Sequence, residues 1–408
     1  MGNYDIYFLM KAEDVPAYIR CKLPSFFSDS ADLICDEIGD GNLNYVFRVK
    51  DTISGKTLIV KQAAEELRIS KELKLSTDRG RIEAKILALQ GELVPGFVPE
   101  VYLYDPVMCA MAMEEMIGHE MMRTALMDHK IFPKFADQIS TFLVNTLLLT
   151  SDIVMDHKKK EELVREFINP DLCDLTHHLV YSEPYLNYNY RNNVFAPNAE
   201  FVEKEIYEDT CLRLAAAKLK FQFMNDAQSL IHGDLHTGSI FINEDHIYVF
   251  DPEFAFYGPM SYDIGNVLAN LFFAWCNGDA LITDPDDRNA FCGWIIDAIA
   301  DTVDLFIKKF KISFLANVTD PMAETPGFIE FYLDRVLTQS AGAAGIEIIR
   351  RTIGMANVKD ITSIEDAAKR TRAERILITF AKDCIMNRSA FVSGSAYKEA
   401  INKAVRQF

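Results

Sequence analysis

Three acidic residues on a strand-rich stretch are the first candidates for chemistry. Asp234 lies in HGD directly after the apolar pair Leu230 and Ile231, and Asp251 and Glu253 lie in DPE directly after IYVF, seventeen residues further on. Two adjacent strand ends would bring all three carboxylates to one edge. Carboxylates that close repel one another unless a proton or cation compensates, so the pattern points to Mg2+, which takes a few carboxylates together with substrate phosphates. A lone HGD is equally a turn or a helix cap, since Asp bonds local backbone readily. Upstream, Gly39 to Asn44 reads GDGNLN, a turn whose backbone N–H groups could face phosphates, and Lys61 lies on a strand placed to meet them.

Positioning these groups takes strands first. Leu33 to Ile38, Tyr45 to Lys50 and Thr57 to Lys61 read as strands, the second by its alternation of apolar and polar residues. Turns at Gly39 to Asn44 and Asp51 to Gly55 join them into an antiparallel meander. Residues 1 to about 30 read as helix, punctuated by Pro16 and Pro24. From Asp78 to Leu93, Ile82, Ile86 and Leu89 recur at helical spacing, and Glu83 is an acidic residue on that helix. Val101 to Tyr104 and Val107 to Met113 are expected short strands, with Glu114 to Gly118 as a polar exit. Beyond Phe135 the pattern is mainly helical, interrupted by the strand and turn island from Leu230 to Pro259. The reading is an α+β chain with a small N-terminal antiparallel-sheet lobe carrying helices (1–116) and a larger, mainly helical C-terminal lobe (117–408).

Composition narrows the function. The 408 residues hold 60 acidic and 42 basic side chains, a net charge of −18, which argues against a general nucleic-acid binder. A hydrophobic share of 49% is that of a globular protein. Asp5 precedes a short apolar stretch that Lys11 ends, so the start lacks the pattern of a signal peptide. The apolar segment Val267 to Cys276 is broken by Asn270 and falls short of the roughly 20 residues a bilayer needs. Eight cysteines without CxxC spacing suggest neither a zinc knuckle nor a disulfide framework, and favour a reducing, cytoplasmic setting.

A Gly-rich turn, a strand Lys, an acidic helix residue, an apolar strand leading to a polar hinge, a catalytic Asp and a metal Asp follow one another in the protein-kinase-like fold. More narrowly, the chain resembles the 5-methylthioribose kinases of methionine salvage, within the aminoglycoside and choline kinase-like group. Four stretches carry the resemblance: EIGDGNLNYVF (Glu37 to Phe47), LIHGDLHTGSIF (Leu230 to Phe241), DPEFAFYGP (Asp251 to Pro259) and IRRTIG (Ile349 to Gly354). Weaker similarity runs through IVKQA, DRGRIE and FINPDLCD.

The resemblance implies a two-lobed kinase using ATP and Mg2+. Asp234 would be the catalytic residue, orienting the anomeric hydroxyl of the sugar and accepting its proton. Asp251, Pro252 and Glu253 would serve the nucleotide, with Asp251 and Glu253 as metal ligands. Lys61 would meet the α- and β-phosphates with Glu83 as its partner, and Gly39, Gly41, Asn42 and Asn44 would form a flap over the phosphates. Glu114, Glu115 and Met116 would make the hinge that reads adenine. Arg350 and Arg351 would close the sugar side, where a guanidinium bonds hydroxyls in a fixed fork. His232 would brace the catalytic turn, and Asp263 would brace that turn or cap a helix. The resemblance also implies a homodimer.

Ser239 stands where many kinases carry a metal-binding Asn, a feature the methylthioribose group shares. Arg68 to Arg79, RISKELKLSTDR, lacks the Trp-bearing loop usual in that group, which leaves a related sugar open as substrate. The rival readings are a kinase of another small alcohol, of aminoglycoside, choline or homoserine type, and a nucleotide-binding pseudokinase. An aminoglycoside is a polycation that Arg350 and Arg351 would repel. A pseudokinase would have lost Asp234, Lys61 or a metal carboxylate, and all are present.

Overall fold

A computed structural model describes residues 4–38, 43–67 and 70–408. The Gly39, Gly41 and Asn42 of the expected flap lie outside the described residues. The chain divides into two compact units: Met1–Gly118 with Tyr248–Ala255, and His119–Ile247 with Phe256–Phe408.

The first unit is built on a sheet of order β1-β2-β3-β7-β6. Its strands are β1 (Leu33–Ile38), β2 (Tyr45–Asp51), β3 (Thr57–Gln62), β6 (Val101–Asp105) and β7 (Ala110–Met113), all neighbours antiparallel. A short ribbon of β4 (Glu66–Leu67) and β5 (Ser70–Lys74) follows β3. Alternation decides the faces. Along β2, Phe47 and Val49 are buried while Arg48 and Lys50 face solvent. Phe47 and Val49 join Leu58, Val60, Ala110 and Ala112 in one core with Val15, Tyr18 and Ile19 of α1 (Val15–Lys22). The helix α2 (Arg79–Leu93) buries Ile82, Glu83, Ile86 and Leu87.

Two elements are shorter than the sequence suggests. The N-terminal helix covers only α1, because Pro16 suits a first turn whereas the residue before Pro24 is driven out of helical backbone: Leu23 ends the helix at φ −130° and ψ 58°. The strand expected from Val107 starts at Ala110. Asp105 Oδ1 accepts from the amides of Val107 (2.9 Å) and Met108 (3.3 Å), closing a turn, and Cys109 leaves it at φ 47°.

The second unit is mainly helical. Its elements run β8 (Glu120–Met121), α3 (Met122–Met127), α4 (Phe135–Leu147), α5 (His157–Glu166), α6 (Pro170–Leu179), α7 (Glu183–Leu186), α8 (Ala199–Val202) and α9 (Thr210–Asn225). Strands β9 (Ser229–Ile231) and β10 (Ile240–Ile242) then lead to β11 (Ile247–Val249), where the chain enters the first unit, and it returns in β12 (Phe256–Gly258). The chain finishes with α10 (Met260–Leu281), α11 (Pro285–Asn317), α12 (Phe328–Ile353), α13 (Lys359–Thr362), α14 (Ala367–Met386) and α15 (Gly394–Val405). α10 is buried along nearly its whole length and packs against α12, α11 and α14. An Asp carboxylate accepts first-turn amides at the start of α5, α9, α11 and α14, the preferred cap for orphan helix donors.

β8 pairs with β10, and β9 pairs with β12. Asp234 and Asp251 therefore do not follow adjacent strands, as the sequence suggests they would: β9 takes β12, not β11, as its neighbour. Strand order is a tertiary property that two short apolar runs cannot encode. Among the described residues, no helix is long and apolar enough to cross a membrane.

Candidate active site

The first unit gathers one acidic centre. Lys61 lies on β3, paired in register with Val46 and Met111, so its side chain leaves the sheet beside α2. Its ammonium donates to Glu83 Oε1 at 2.8 Å and to Asp251 Oδ1. Asp251 holds a left-handed φ of 66°, a costly backbone for a side-chain-bearing residue and one that recurs at functional sites. Glu253 is buried, accepts from Asn44 Nδ2 at 2.8 Å and pairs with Arg79 Nε at 3.3 Å. Arg79 in turn donates to Asn44 Oδ1 (3.2 Å) and to the carbonyls of Leu43 (3.2 Å) and Ala64 (2.8 Å). One guanidinium thus ties the described end of the expected flap to Glu253.

Glu83, Asp251 and Glu253 each offer a carboxylate oxygen, and the three atoms lie within 4.8 Å of one another. Two cations, Lys61 and Arg79, face these three carboxylates. Burial, helped by Asp251 and Glu253, pushes the Glu83 carboxyl up to about 8 against the pull of Lys61. Burial and Asp251 push Glu253 up to about 7 against Lys61 and Arg79. Burial works against a charged Lys61, but Asp251, Glu83 and Glu253 outweigh it and hold its pKa above the usual lysine value. An all-oxygen set with raised carboxyls fits a hard divalent cation. It differs from the expected trio in having Glu83 where the sequence argument placed Asp234.

In the same unit the Glu114, Glu115 and Met116 segment follows β7. The Glu114 amide donates to the Glu100 carbonyl at 2.8 Å, and Glu114 Oε2 accepts from the Glu100 amide at 3.2 Å. Glu115 pairs with Arg48 Nε at 2.6 Å. Both side chains are committed within the unit, so this segment can offer a ligand mainly its main chain.

The second unit builds a centre of opposite balance. After β9 the chain turns at His232–Gly233–Asp234, with Gly233 at φ 82°. Buried Asp263, in the first turn of α10, accepts from the amides of His232 (2.7 Å) and Gly233 (3.0 Å). Asp263 therefore braces this turn. Ser239 Oγ donates to the Asp234 carbonyl at 3.0 Å and lies 3.1 Å from His236 Nδ1. His236 Nε2 is 3.3 Å from Asp234 Oδ2.

Two guanidiniums meet the other carboxylate oxygen. Arg350 Nη2 donates to Asp234 Oδ1 at 3.3 Å, and Arg351 Nη2 lies 3.9 Å from the same atom. Both arginines end α12 and turn their Nε toward Glu347, Arg351 at 3.2 Å. Glu347 is buried and fixes both forks from one turn earlier in the helix. Burial works to raise the Asp234 carboxyl, yet His236, Arg350 and Arg351 hold it well below the usual carboxylate range. Asp234 is thus an ionised base flanked by cations.

Sequence reasoning missed Arg79 and Glu347. Arg79 stands in the quoted DRGRIE stretch, but nothing local distinguishes it from a solvated helix start. Glu347 was open to discovery, since it precedes Arg350 and Arg351 by three and four positions, the spacing of neighbours on a helix face.

The phosphotransferase enzyme family matches residues 35–283. The methylthioribose kinase of Bacillus pumilus is 36% identical over 380 residues, covering 93% of each chain. That of Bacillus velezensis is 38% identical over 377 residues, covering 92% of each. A solved glucosamine kinase structure aligns over 90% of this chain and 84% of its own, at 13% identity and a TM-score of 0.47. The chain belongs to the phosphotransferase enzyme family and, within it, to the methylthioribose kinases.

Proposed function

We propose that this methylthioribose kinase family member transfers the γ-phosphoryl group of ATP to the anomeric hydroxyl of 5-methylthioribose, giving 5-methylthioribose 1-phosphate and ADP in methionine salvage. The observation that carries the reading is the convergence of Arg350 and Arg351 on the one Asp234 oxygen. A carboxylate so held stays ionised and can accept the proton of the attacking hydroxyl. The bond from the sugar oxygen to γ-phosphorus forms as the bridge to the β-phosphate breaks, and ADP leaves. The guanidiniums offset the charge of the transferring phosphoryl group. They also disfavour cationic acceptors such as choline or an aminoglycoside, while a neutral sugar offers them hydroxyl oxygens to bond.

On this reading residues 1–116 serve the nucleotide and residues 117–408 carry the catalytic residue and the acceptor. Lys61, held by Glu83, meets the α- and β-phosphates, and Gly39, Gly41, Asn42 and Asn44 cover them. Main-chain groups of Glu114 to Met116 read the adenine edge. Asp251 and Glu253, with Pro252 between them, would hold Mg2+, whose charge neutralises the nucleotide phosphates. The raised carboxyls of the first centre support a cation there. The eight free cysteines support a cytoplasmic setting. The homodimer rests on the family resemblance, and light scattering measures it.

A coupled ADP-release assay against methylthioribose, ribose, choline and kanamycin tests the assignment. Methylthioribose should give the highest kcat/KM. Strong release with choline or kanamycin and none with methylthioribose would replace it by a kinase of another small alcohol.

A further inference from the structure

Arg79 opens α2 and is only 2% exposed, yet all three nitrogens of its guanidinium donate. Nε donates to Asn44 Oδ1 at 3.2 Å and faces Glu253 Oε2 at 3.3 Å. Nη1 donates to the carbonyls of Ser76 (2.9 Å) and Leu75 (3.4 Å), and Nη2 to those of Ala64 (2.8 Å) and Leu43 (3.2 Å). These partners come from separate stretches: Leu75 and Ser76 lead into α2, Ala64 follows β3, Leu43 and Asn44 lead into β2, and Glu253 lies in the DPE turn. A lysine, with one donor atom, could not hold them together. Buried ion pairs add little stability over apolar packing, so what this one supplies is geometry.

Asn44 completes a triangle. It is 3% exposed, its Oδ1 accepts from Arg79, and its Nδ2 donates to Glu253 Oε2 at 2.8 Å. A side-chain amide can accept from a guanidinium and donate to a carboxylate at once, whereas a carboxylate in its place could only accept. One face of α2 carries both Arg79 and, four residues on, Glu83, which takes the Lys61 ammonium that also holds Asp251. The acidic centre is therefore fixed to α2 twice. At Glu253 the fixing passes through Leu43 and Asn44, the described end of the expected phosphate flap.

From this arrangement we infer that Arg79 and Asn44 are positioning residues that couple a divalent cation in the acidic centre to the seating of the phosphate flap. Both act through Glu253 and touch neither ligand. Once Glu253 ligates a cation its carboxylate is fixed; Oε2 then fixes the Asn44 amide, and Arg79 holds the Leu43 carbonyl beside it. The chain that enters β2 is set by the same bonds. In the other direction, phosphates that seat the flap hold Glu253 ready for the cation. The factor is equal both ways, because coupling between two ligands is reciprocal. The inference rests on the nucleotide reading of this unit and adds how its two ligands communicate.

The test is calorimetric titration of the full chain with ADP, once with a chelator and once with saturating Mg2+. Wild type should bind ADP more tightly with Mg2+, and the ratio of the two Kd values reads the coupling. Direct contact between cation and phosphate contributes to that ratio in every variant, but the share carried by the triangle does not. Asn44→Ala should cut the ratio about threefold to tenfold, the worth of one hydrogen bond. The loss should lie in the Mg2+ arm. Arg79→Lys should cut the ratio similarly, and the double variant no further than the larger single loss, because the two residues act as one unit. Thermal melting in chelator confirms that each variant folds, and Asn44→Ala decides alone where Arg79→Lys does not. Equal weakening in both arms, or losses that multiply in the double variant, overturn the coupling and leave the nucleotide site standing. A wild-type chain that binds ADP in neither arm overturns both.

Discussion

The centres around Lys61 and Asp234 use the same kinds of side chain to opposite ends. Around Lys61, three carboxylates face two cations, and burial pushes Glu83 and Glu253 toward neutrality. Around Asp234, Arg350, Arg351 and His236 surround one base and keep it ionised although it too is enclosed. The carboxyl group is chemically the same in each. Its state follows from the neighbours supplied, on one side by a strand, a helix and the DPE turn, on the other by one end of α12. The first arrangement asks for a cation, and the second supplies a proton acceptor beside positive charge.

The hardest blow to this contrast is Asp234→Asn. It keeps shape, and Asp263 continues to hold the turn through the His232 and Gly233 amides, so the fold should survive. Turnover should fall by about 10² to 10⁴, the range for a lost general base. ATP affinity, measured by titration calorimetry, should change little. If turnover stays within tenfold of wild type, Asp234 is not the base and the second centre has been misread.

Next in size are the arginines. Arg350→Met should lower kcat by about 10², comparable with losing one donor to a developing anion, and Arg351→Met by less, since it stands farther from Asp234 Oδ1 at 3.9 Å against 3.3 Å. Each removal also withdraws a charge that holds the Asp234 carboxyl low. The carboxyl should then protonate at higher pH, so the acid limb of the kcat/KM profile should move upward. An unmoved limb, with kcat reduced, would mean that the arginines bind phosphate without tuning the base.

How far these centres were legible depends on range. The strands around Lys61 announced themselves through alternation and turn residues, and the order of motifs placed Glu83 on the helix after Lys61. Helix spacing would have been enough for Glu347. The composition of the acidic trio was not legible, because it depends on β9 joining β12 and on the Asp251 segment packing into the first unit. Arg79 escaped for a related reason: its partners Asn44, Ala64 and Glu253 come from three separate parts of the chain. Helix length along α1 failed locally, where the residue before Pro24 overrides an apolar pattern.

The smallest expected effect separates the two centres without touching catalysis. In metal-free protein, Glu83 with its carboxyl near 8 holds a proton over a range where an unfolded Glu, near 4.5, has lost it. The folded state then binds more protons than the unfolded one, so this group's contribution to stability falls as pH rises toward 8. Asp234, held low, behaves in the opposite sense: its contribution is complete above 3.8 and is lost only on acidification below that value. Wild type treated with a chelator should therefore lose a few degrees of Tm between pH 6.5 and 8 relative to Glu83→Gln, which carries no such proton. Histidines titrate alike in both proteins and cancel in the difference. Adding Mg2+ should flatten the wild-type slope, because the cation compensates the carboxylates in place of the proton. Parallel curves for the two proteins would show that Glu83 is ionised without metal, and the acidic centre would then need no cation to be stable.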